Sequence, residues 1–412
     1  MNSNNNENNQ TEKKMNILTK AASRLKDTVS TTALAVKDLF SADSLSEFLI
    51  SSFKEAVSQL REMERITNQI KKADLSFTKA DLTRFKTKAL ETAAQYGTSP
   101  TDYLNDILEA TKAGYKNADQ IAELSTALQS TADISSDTAL NIITTMDNAW
   151  SLGGSVTELT KILNGLFGIS STGAVNIAQL AEGFSLASER VSVFGASSDR
   201  TAAATGTLIT AAGMEAKEAA DALSSLISVI SGSYQDCLST GSTTTDSFVS
   251  ACLRLGVSLS ETKNGIASMR DPIQIVNELA DACNKLSETG PLRTELLSAI
   301  SSSGGDSAVD AFEALIQNSS VYNKMLDGYS DMDFSIIQEA EKNLSSLDGA
   351  LNRLSATWTQ TIGNVTDSKA AASLVNTAGS LLNVINGITS ALGPLGTIGL
   401  GTGSAFFVKN FA

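Results

Sequence analysis

Few side chains in this sequence have the type and spacing that catalysis or metal binding requires. The sequence contains no histidine, which excludes catalytic triads and metal sites that depend on imidazole. The 3 cysteines, Cys237, Cys252 and Cys283, form no C-x-x-C pair, so zinc ribbons, iron–sulfur clusters and a disulfide framework are not supported. Cys252 and Cys283 lie in apolar helical patterns, and we expect both to be small core residues.

Two short segments resemble ligand-binding loops, but neither meets the requirements of such a site. The glycines of Gly399–Gly403 lack the Lys-Ser/Thr pair and the preceding strand of a phosphate-binding loop. A calcium loop that opens on Asp331 would need a glycine at its sixth position, and none is there, so we expect Asp327, Asp331 and Asp333 to be solvated loop carboxylates. We therefore predict no catalytic residue, no cofactor, no metal ion and no enzymatic activity.

The charge balance argues against a nucleic-acid partner. The sequence holds 31 basic and 45 acidic residues, a net charge of −14, and phosphates repel an acidic chain. We therefore expect no specific nucleic-acid binding. The segment Met1–Gln10 is rich in asparagine, and no apolar run precedes Ile17, so we expect a polar arm rather than a signal peptide, and a chain made in a cytoplasm.

The positions of the apolar residues indicate an all-α fold. Only 4 prolines interrupt the chain of 412 residues. Apolar residues recur with the helical period of about 3.6, whereas no run alternates convincingly as a strand would. Alanine and serine occupy many positions, which favours close helix packing. We predict an elongated array of short Ala-rich helices, followed by a long helix with a heptad pattern.

Capping residues set the expected boundaries of the first helices. We predict one helix at Ser46–Lys72, capped by Asp43 or Ser46. A second helix is expected at Lys79–Tyr96. A third spans Pro100–Gly114, because proline is favoured in the first turn of a helix and glycine just after its end.

Clusters of small residues mark the expected breaks in the rest of the chain. They lie at Gly153-Gly154, Gly168–Gly173, Gly195–Ser198 and Gly213. The helix after the last of these breaks has an apolar stripe made of Ala216, Ala219, Ala220, Leu223, Leu226, Ile227 and Ile230. The Gly/Ser/Thr-rich stretch Ser231–Thr245 is expected to be a loop. Trp150 and Trp358 are expected to anchor the core or a helix seam.

The sharpest periodicity follows, where apolar residues alternate in steps of three and four. This heptad seam consists of Ile337, Ala340, Leu344, Leu347, Leu351, Leu354, Trp358 and Val365, with Thr361 at one further position. Four heptads of this spacing fit a self-associating coiled coil. They fit equally a long helix that packs on other helices of the same chain.

The segment Ala370–Val408 carries no charge. Its apolar positions are Leu374, Leu381, Ile385, Ile388 and Leu392. The segment is long enough to cross a bilayer, which takes about 20 residues. Pro394 and several glycines interrupt it, and asparagine is costly in lipid. Contact with a membrane is therefore one expectation for this segment, and continuation of the helical rod is the other.

These patterns divide the sequence into five segments. Residues 1–45 are expected to form a disordered polar arm with a short helix, and residues 46–118 an N-terminal helical segment. Residues 119–335 form the helical core and residues 336–369 the coiled-coil-like helix. Residues 370–412 form the charge-free apolar segment, which is expected to continue beyond the last residue.

Five motifs together resemble the core region of phage tail tape measure proteins. They are Leu90–Asp102, Leu108–Tyr115, Val175–Phe184, Gly213–Leu226 and Leu344–Trp358. The first ends a small-residue helix on an aromatic-Gly pair, and the second belongs to Ala-rich repeats. The third and fourth place an Ala-x-x-x-Ala helix before a helix of the form Gly, acidic, Ala-Ala, Leu-x-x-Leu. The last is a Leu-rich helix that runs into tryptophan. The resemblance covers about Lys79–Trp358.

This resemblance implies a structural protein of a phage or prophage virion that sets tail length from inside the tail tube and takes part in DNA ejection. It implies a homo-oligomer, together with tail tube protein, tail assembly chaperones and distal tail or baseplate proteins as partners. It places the protein in the tail lumen, and in the host cytoplasm during assembly. The alternative is a membrane-active helical protein, pore-forming or translocated, which the charge-free segment would carry into contact with the host membrane.

Overall fold

Helices form almost all of the chain that the structure describes. The structure is a computed structural model, and it describes residues 42–173, 175–240, 246–263, 266–287, 290–331 and 335–342. The helices are α1 (Ala42–Ala73), α2 (Lys79–Tyr96), α3 (Pro100–Lys112), α4 (Ala118–Ala132), α5 (Ser136–Ala149), α6 (Val156–Gly173), α7 (Ile177–Val191), α8 (Ser198–Thr210), α9 (Ala216–Thr240), α10 (Ser247–Arg254), α11 (Pro272–Cys283), α12 (Pro291–Gln317), α13 (Ser319–Ser330) and α14 (Ile336–Lys342). The all-α prediction is confirmed.

A small antiparallel hairpin is the exception that the sequence analysis missed. Strand β1 spans Ser260–Lys263 and strand β2 spans Ile266–Met269, with Ser260 opposite Met269. A two-stranded hairpin is marginal in isolation and must pack on something else. Here the preceding Val257 and Leu259 are buried in the helical core.

The helices form two compact units. The first comprises residues 42–126 together with 340–342, and the second comprises residues 127–339. In the first unit, α1 packs on α3, and α2 packs on both. Its core contains Met63, Ile66, Ile70, Phe85, Tyr103, Leu104 and Ile107, all of which are fully buried.

The second unit is built around α8, which packs on α7, α6 and α13. Helix α9 packs on α7 and α12, and α12 also packs on α10 and α11. The apolar stripe predicted after Gly213 forms part of this core. All of its members, Ala216, Ala219, Ala220, Leu223, Leu226, Ile227 and Ile230, are buried.

Helix ends occur where short-range chemistry predicts them in α2 and α3. Helix α2 begins after Thr78, whose hydroxyl accepts a hydrogen bond from the Asp81 amide while the Asp81 carboxylate accepts one from the Thr78 amide. It ends at Gly97, which has a left-handed φ of 69°. Helix α3 begins with Ser99 as its cap and Pro100 in its first turn.

The predicted start of α1 and one predicted break were wrong. Helix α1 spans Ala42–Ala73, so Asp43 and Ser46 lie within the helix and not before its first residue. Helix α6 continues through Gly168 to Gly173. Glycine there is not a hinge, because its missing side chain is what allows another helix to approach. The breaks at Gly153-Gly154 and Gly213 are confirmed, since all three glycines have positive φ.

Two segments predicted to be loops are helical. Helix α9 runs on through Ser231 to Thr240, so the predicted Ser231–Thr245 loop is wrong over its first part. The Ser231 hydroxyl donates to the Ile227 carbonyl, and serine can therefore remain helical without an unsatisfied hydroxyl. Asp327 lies inside α13 rather than in a loop, Asp331 caps the end of that helix, and Asp333 is outside the described residues.

Replacing Asn176 tests how strongly one cap holds the second unit. The Asn176 carboxamide oxygen accepts hydrogen bonds from the Ala178 and Gln179 amides at the start of α7. We expect Asn176→Ala to destabilise the unit by about 1 kcal/mol, measured as a lower urea midpoint in the fluorescence of Trp150 in a Trp358→Phe background. Asn176→Asp is the control, because it keeps the acceptor and should leave the midpoint near that of the parent chain.

Candidate functional site

The described residues hold no cluster that resembles a metal centre. Within them, no group of Cys, Asp and Glu side chains could hold a metal ion. Cys252 and Cys283 are buried, as predicted, and burial raises the pKa of both thiols. Among the helices of the described chain, none is long and apolar enough to cross a membrane. The candidate sites are therefore places where helices are held together and where they leave the folded units.

The centre of the second unit is a helix almost without large side chains. Nine successive residues of α8, from Thr201 to Ile209, are buried, and most of them are alanine, threonine or glycine. The Thr201 hydroxyl donates to the Ser197 carbonyl and the Thr207 hydroxyl to the Ala203 carbonyl, each at 2.7 Å. These threonines therefore present methyl groups to their neighbours and behave as small apolar residues.

Helix α13 packs closely against α6 because glycine occupies the points of contact. A methyl group on Gly165 of α6 would be only 2.5 Å from the ring of Tyr329. A methyl group on Gly328 of α13 would overlap the Thr172 hydroxyl and lie 3.1 Å from the Gly168 carbonyl oxygen. The backbones of α6 and α13 thus approach each other as closely as glycine permits.

Met325 and Tyr329 fill the space that these small residues leave. Met325 is fully buried, and methyl groups added at Gly173 or Gly206 would approach its side chain to 2.9 and 2.8 Å. The Tyr329 hydroxyl makes a hydrogen bond of 3.1 Å with the Ser198 hydroxyl at the start of α8. Burial is the main reason why the pKa of Tyr329 lies above its ordinary value, so the phenol is a neutral packing group.

One carboxylate joins the N-termini of two helices. One oxygen of Asp271 accepts hydrogen bonds from the Ile273 and Gln274 amides at the start of α11. The other oxygen accepts from the Ser197 amide at the start of α8 and from the Arg200 guanidinium. A carboxylate that is largely withdrawn from water needs several donors, and these four hydrogen bonds together with the two helix N-termini supply them.

Trp150 has the anchoring role that was predicted for it. Its ring stacks on Phe184 of α7, with 5.2 Å between the ring centroids and an angle of 16° between the planes. The indole N–H donates to the Ala196 carbonyl at 3.2 Å. Trp150 therefore holds the end of α5 against α7 and the turn that follows it. Trp358 lies outside the described residues.

The start of the heptad pattern is fastened to the second unit. The Ile336 amide donates to the Asn164 side chain of α6 at 3.0 Å, and the Ile336 carbonyl accepts from the Thr131 hydroxyl of α4. Ile336 and Ala340 are fully buried, whereas Ile337 is half-buried. The first turn of α14 is thus held by its own chain before the pattern continues.

The rest of the predicted seam and the whole apolar segment are outside the described residues. These are Leu344, Leu347, Leu351, Leu354, Trp358 and Val365 of the seam, and Leu374, Leu381, Ile385, Ile388 and Leu392 of the apolar segment. Their roles in self-association and in membrane contact stay predictions.

In the first unit, charged pairs connect α2 with α4. Arg84 pairs with Asp119 at 2.9 Å and Lys88 with Glu123 at 2.6 Å. The buried Tyr103 hydroxyl donates to the Asp119 carbonyl, and burial is the main cause of its raised pKa. Because the two ion pairs are partly exposed, they contribute orientation more than stability.

The comparison with known proteins identifies a family that this chain matches. Residues 86–300, just over half of the chain, match the family of phage-related minor tail proteins. The match covers most of the second unit, including α8, α9 and the Asp271 junction. No curated protein and no solved structure matches the chain.

The contact of α13 with α6 gives a direct test of close packing. We expect Gly328→Ala to destabilise the second unit by about 1–3 kcal/mol, because an added methyl group meets the backbone of α6 as well as Thr172. The measurement is urea unfolding followed by Trp150 fluorescence, again with Trp358→Phe.

Gly232→Ala is the matched control for that substitution. Gly232 lies within α9, and an added methyl group has no neighbour within 4 Å. Alanine is more favourable than glycine in a helix by about 1 kcal/mol, so this variant should be as stable as the parent chain or more so. Equal losses in both variants would contradict the close-packing account.

Proposed function

The chain belongs to the family of phage-related minor tail proteins, and we propose that it is the tape measure protein of the phage tail. In this role the protein is a structural scaffold in the lumen of the tail tube. It sets the length of the tail during assembly and takes part in DNA ejection. The observation that carries the proposal is the family match over 86–300, in a chain whose sequence then continues into a heptad pattern.

The physical basis of a molecular ruler is the constant rise of a helix. A continuous helix extends about 1.5 Å per residue, so its length is proportional to the number of residues. In the second unit the helices pack back on one another, as α9 does on α7 and α12. Their lengths therefore do not sum along a single axis. We therefore assign the ruler to Ile337–Leu392 and to any helical sequence that follows.

The attachment of α14 supports the assignment of the ruler to the segment that follows the second unit. A ruler needs a fixed starting point, and the hydrogen bonds of Ile336 to Asn164 and Thr131 provide one. The second unit would then be the body from which the rod begins. Copies of the chain would associate through the heptad seam, and a helix whose seam is polar or broken would lose this association.

The proposed partners follow from this place in the virion. Tail tube subunits would polymerise around the protein, tail assembly chaperones would bind it before that step, and distal tail or baseplate proteins would hold one end. The proposed role is structural, with neither an enzymatic reaction nor specific nucleic-acid binding. The protein would occupy the host cytoplasm during assembly and the tail lumen afterwards.

Changing the number of heptads tests the ruler. Duplicating the two heptads 344–357 once or twice keeps the seam in register. We expect tails longer by about 21 and 42 Å, because 14 and 28 residues are added to a rise of about 1.5 Å each. The measurement is the mean tail length in electron micrographs of assembled particles.

A matched insertion outside the proposed ruler shows whether tail length depends on the length of the ruler or only on the number of residues in the chain. A flexible stretch of the same number of residues, placed after the exposed Leu286 in the turn between α11 and α12, should leave the tail length unchanged. Unchanged tails in the heptad series, or equal lengthening by the control, would rule out 337–392 as the ruler.

A second candidate function comes from the absence of charge in Ala370–Val408. We propose it as the alternative: a membrane-active helical protein, pore-forming or translocated, that contacts the host membrane through this segment. It overlaps with a role in DNA ejection, because ejection brings tail components to the host envelope.

Flotation with phosphatidylcholine vesicles tests the membrane alternative with the full chain. If the segment inserts, the chain should float with the vesicles, and Leu381→Lys should reduce the floating fraction about tenfold or more, since a charge within the bilayer is costly. Leu286→Lys is the control at an exposed position of the second unit and should float like the parent chain. A parent chain that stays at the bottom of the gradient contradicts the membrane role.

A further inference from the structure

An apolar groove opens on the surface of the second unit, beside the hairpin. It has a volume of about 330 Å³ and lies between the end of α9, helix α10 and one face of the two strands. Its lining includes Tyr234, Leu238, Val249, Leu253, Leu259 and Ala267. We call it the hairpin groove.

The hairpin groove concentrates exposed apolar surface. Among residues 58–340, counting only those whose side chains the structure describes, the large apolar side chains that are exposed are Leu75, Val193, Leu238, Leu253 and Leu286. Two of them, Leu238 and Leu253, line this one groove with exposed fractions of 56% and 49%. The floor is already formed, because Tyr234, Val249 and Leu259 are buried. Contiguous apolar surface of this kind marks an interaction site.

The electrostatic surroundings of the groove are negative. Asp236 and Asp246 lie close to Cys237, which lines the groove, and both contribute to raising the pKa of its thiol, although burial contributes more. Two basic groups lie nearby, and both are already paired: Arg254 with Glu295, and Arg270, which also donates to the carbonyl of the lining residue Ser258, with Glu278. Residues 127–339 contain more than twice as many acidic as basic residues and account for essentially all of the net charge of −14.

We propose that the hairpin groove binds a short amphipathic helix of a partner protein, with leucine-like side chains in the groove and lysine or arginine side chains along its acidic rim. The charge selects the partner, because complementary potentials favour association and like charges oppose it. A second copy of the same acidic unit, or a membrane rich in anionic lipid, carries the wrong sign.

The shape of the groove favours a helix over an added strand. Ser260 and Ala267 come from different strands and both line the groove, so the occupant lies on the face of the hairpin and not along one strand edge. Helices recognised by grooves insert apolar side chains spaced at i, i+3, i+4 and i+7. The strand edges are not needed for this contact.

The test uses the purified full chain and two labelled designed peptides of 18 residues. Both carry leucine at i, i+3, i+4 and i+7, and the other positions are lysine in one peptide and glutamate in the other. Fluorescence anisotropy should show binding of the lysine peptide and none of the glutamate peptide. Binding of neither peptide, or equal binding of both, overturns the proposal.

Substitutions locate the binding. Leu253→Lys should lower the affinity for the lysine peptide by about tenfold or more, because it removes an apolar contact and adds charge repulsion. Val193→Lys adds the same charge at a position of the same unit that is 74% exposed and not part of the groove, and it should change the affinity less than about twofold. If both variants weaken peptide binding equally, the peptide responds only to the net charge of the chain. That result overturns the hairpin groove as the binding site.

Cys237 provides a second measurement that does not depend on a variant. This thiol is partly exposed in the groove, whereas Cys252 and Cys283 are buried. A bound lysine peptide should slow the alkylation of Cys237 by iodoacetamide in the parent chain, read by mass spectrometry. Peptide binding that leaves the alkylation rate unchanged places the peptide elsewhere and overturns the proposal.

Discussion

Close approach of helix backbones at small residues is the constraint on which the second unit depends. Gly165, Gly206 and Gly328 each lie where an added methyl group would meet another helix. Met325 and Tyr329 then occupy the space between these helices. Dispersion contacts are individually weak, and a gap of about 1 Å already forfeits up to half of each one, so the packing of α13 on α6 and α8 tolerates little change.

Hydroxyl groups make this small-residue core possible without a large share of aromatic residues. The Thr207, Ser188 and Ser224 hydroxyls each donate to a carbonyl one turn earlier in the same helix. Their polar atoms are satisfied locally, so the helices can pack as if these residues were alanine. Asp271 serves the same purpose between elements, since it satisfies amides of two helix starts at once. These polar residues thus support the packing.

Local rules predicted the parts of this fold that depend on local chemistry. The bounds of α2 and the start of α3 follow from Thr78, Gly97 and Pro100. The glycines of α6 were misjudged as a break, because their role depends on α13, which lies far away in the sequence. The hairpin was missed although Asn264-Gly265, a strong hairpin signal, separates its strands in the sequence. The groove beside it joins three elements, and no local pattern specifies such a surface.

The distribution of charge connects the fold with the proposed place in the tail. Nearly all of the net negative charge belongs to residues 127–339, while the segments on either side are close to neutral. A tail lumen must let DNA pass. An acidic helical body repels the phosphates of DNA wherever salt does not screen the charges completely. The same charge would attract a basic partner to the hairpin groove. Under the proposed function, this one property of the second unit would both keep passing DNA from binding and select a basic protein neighbour.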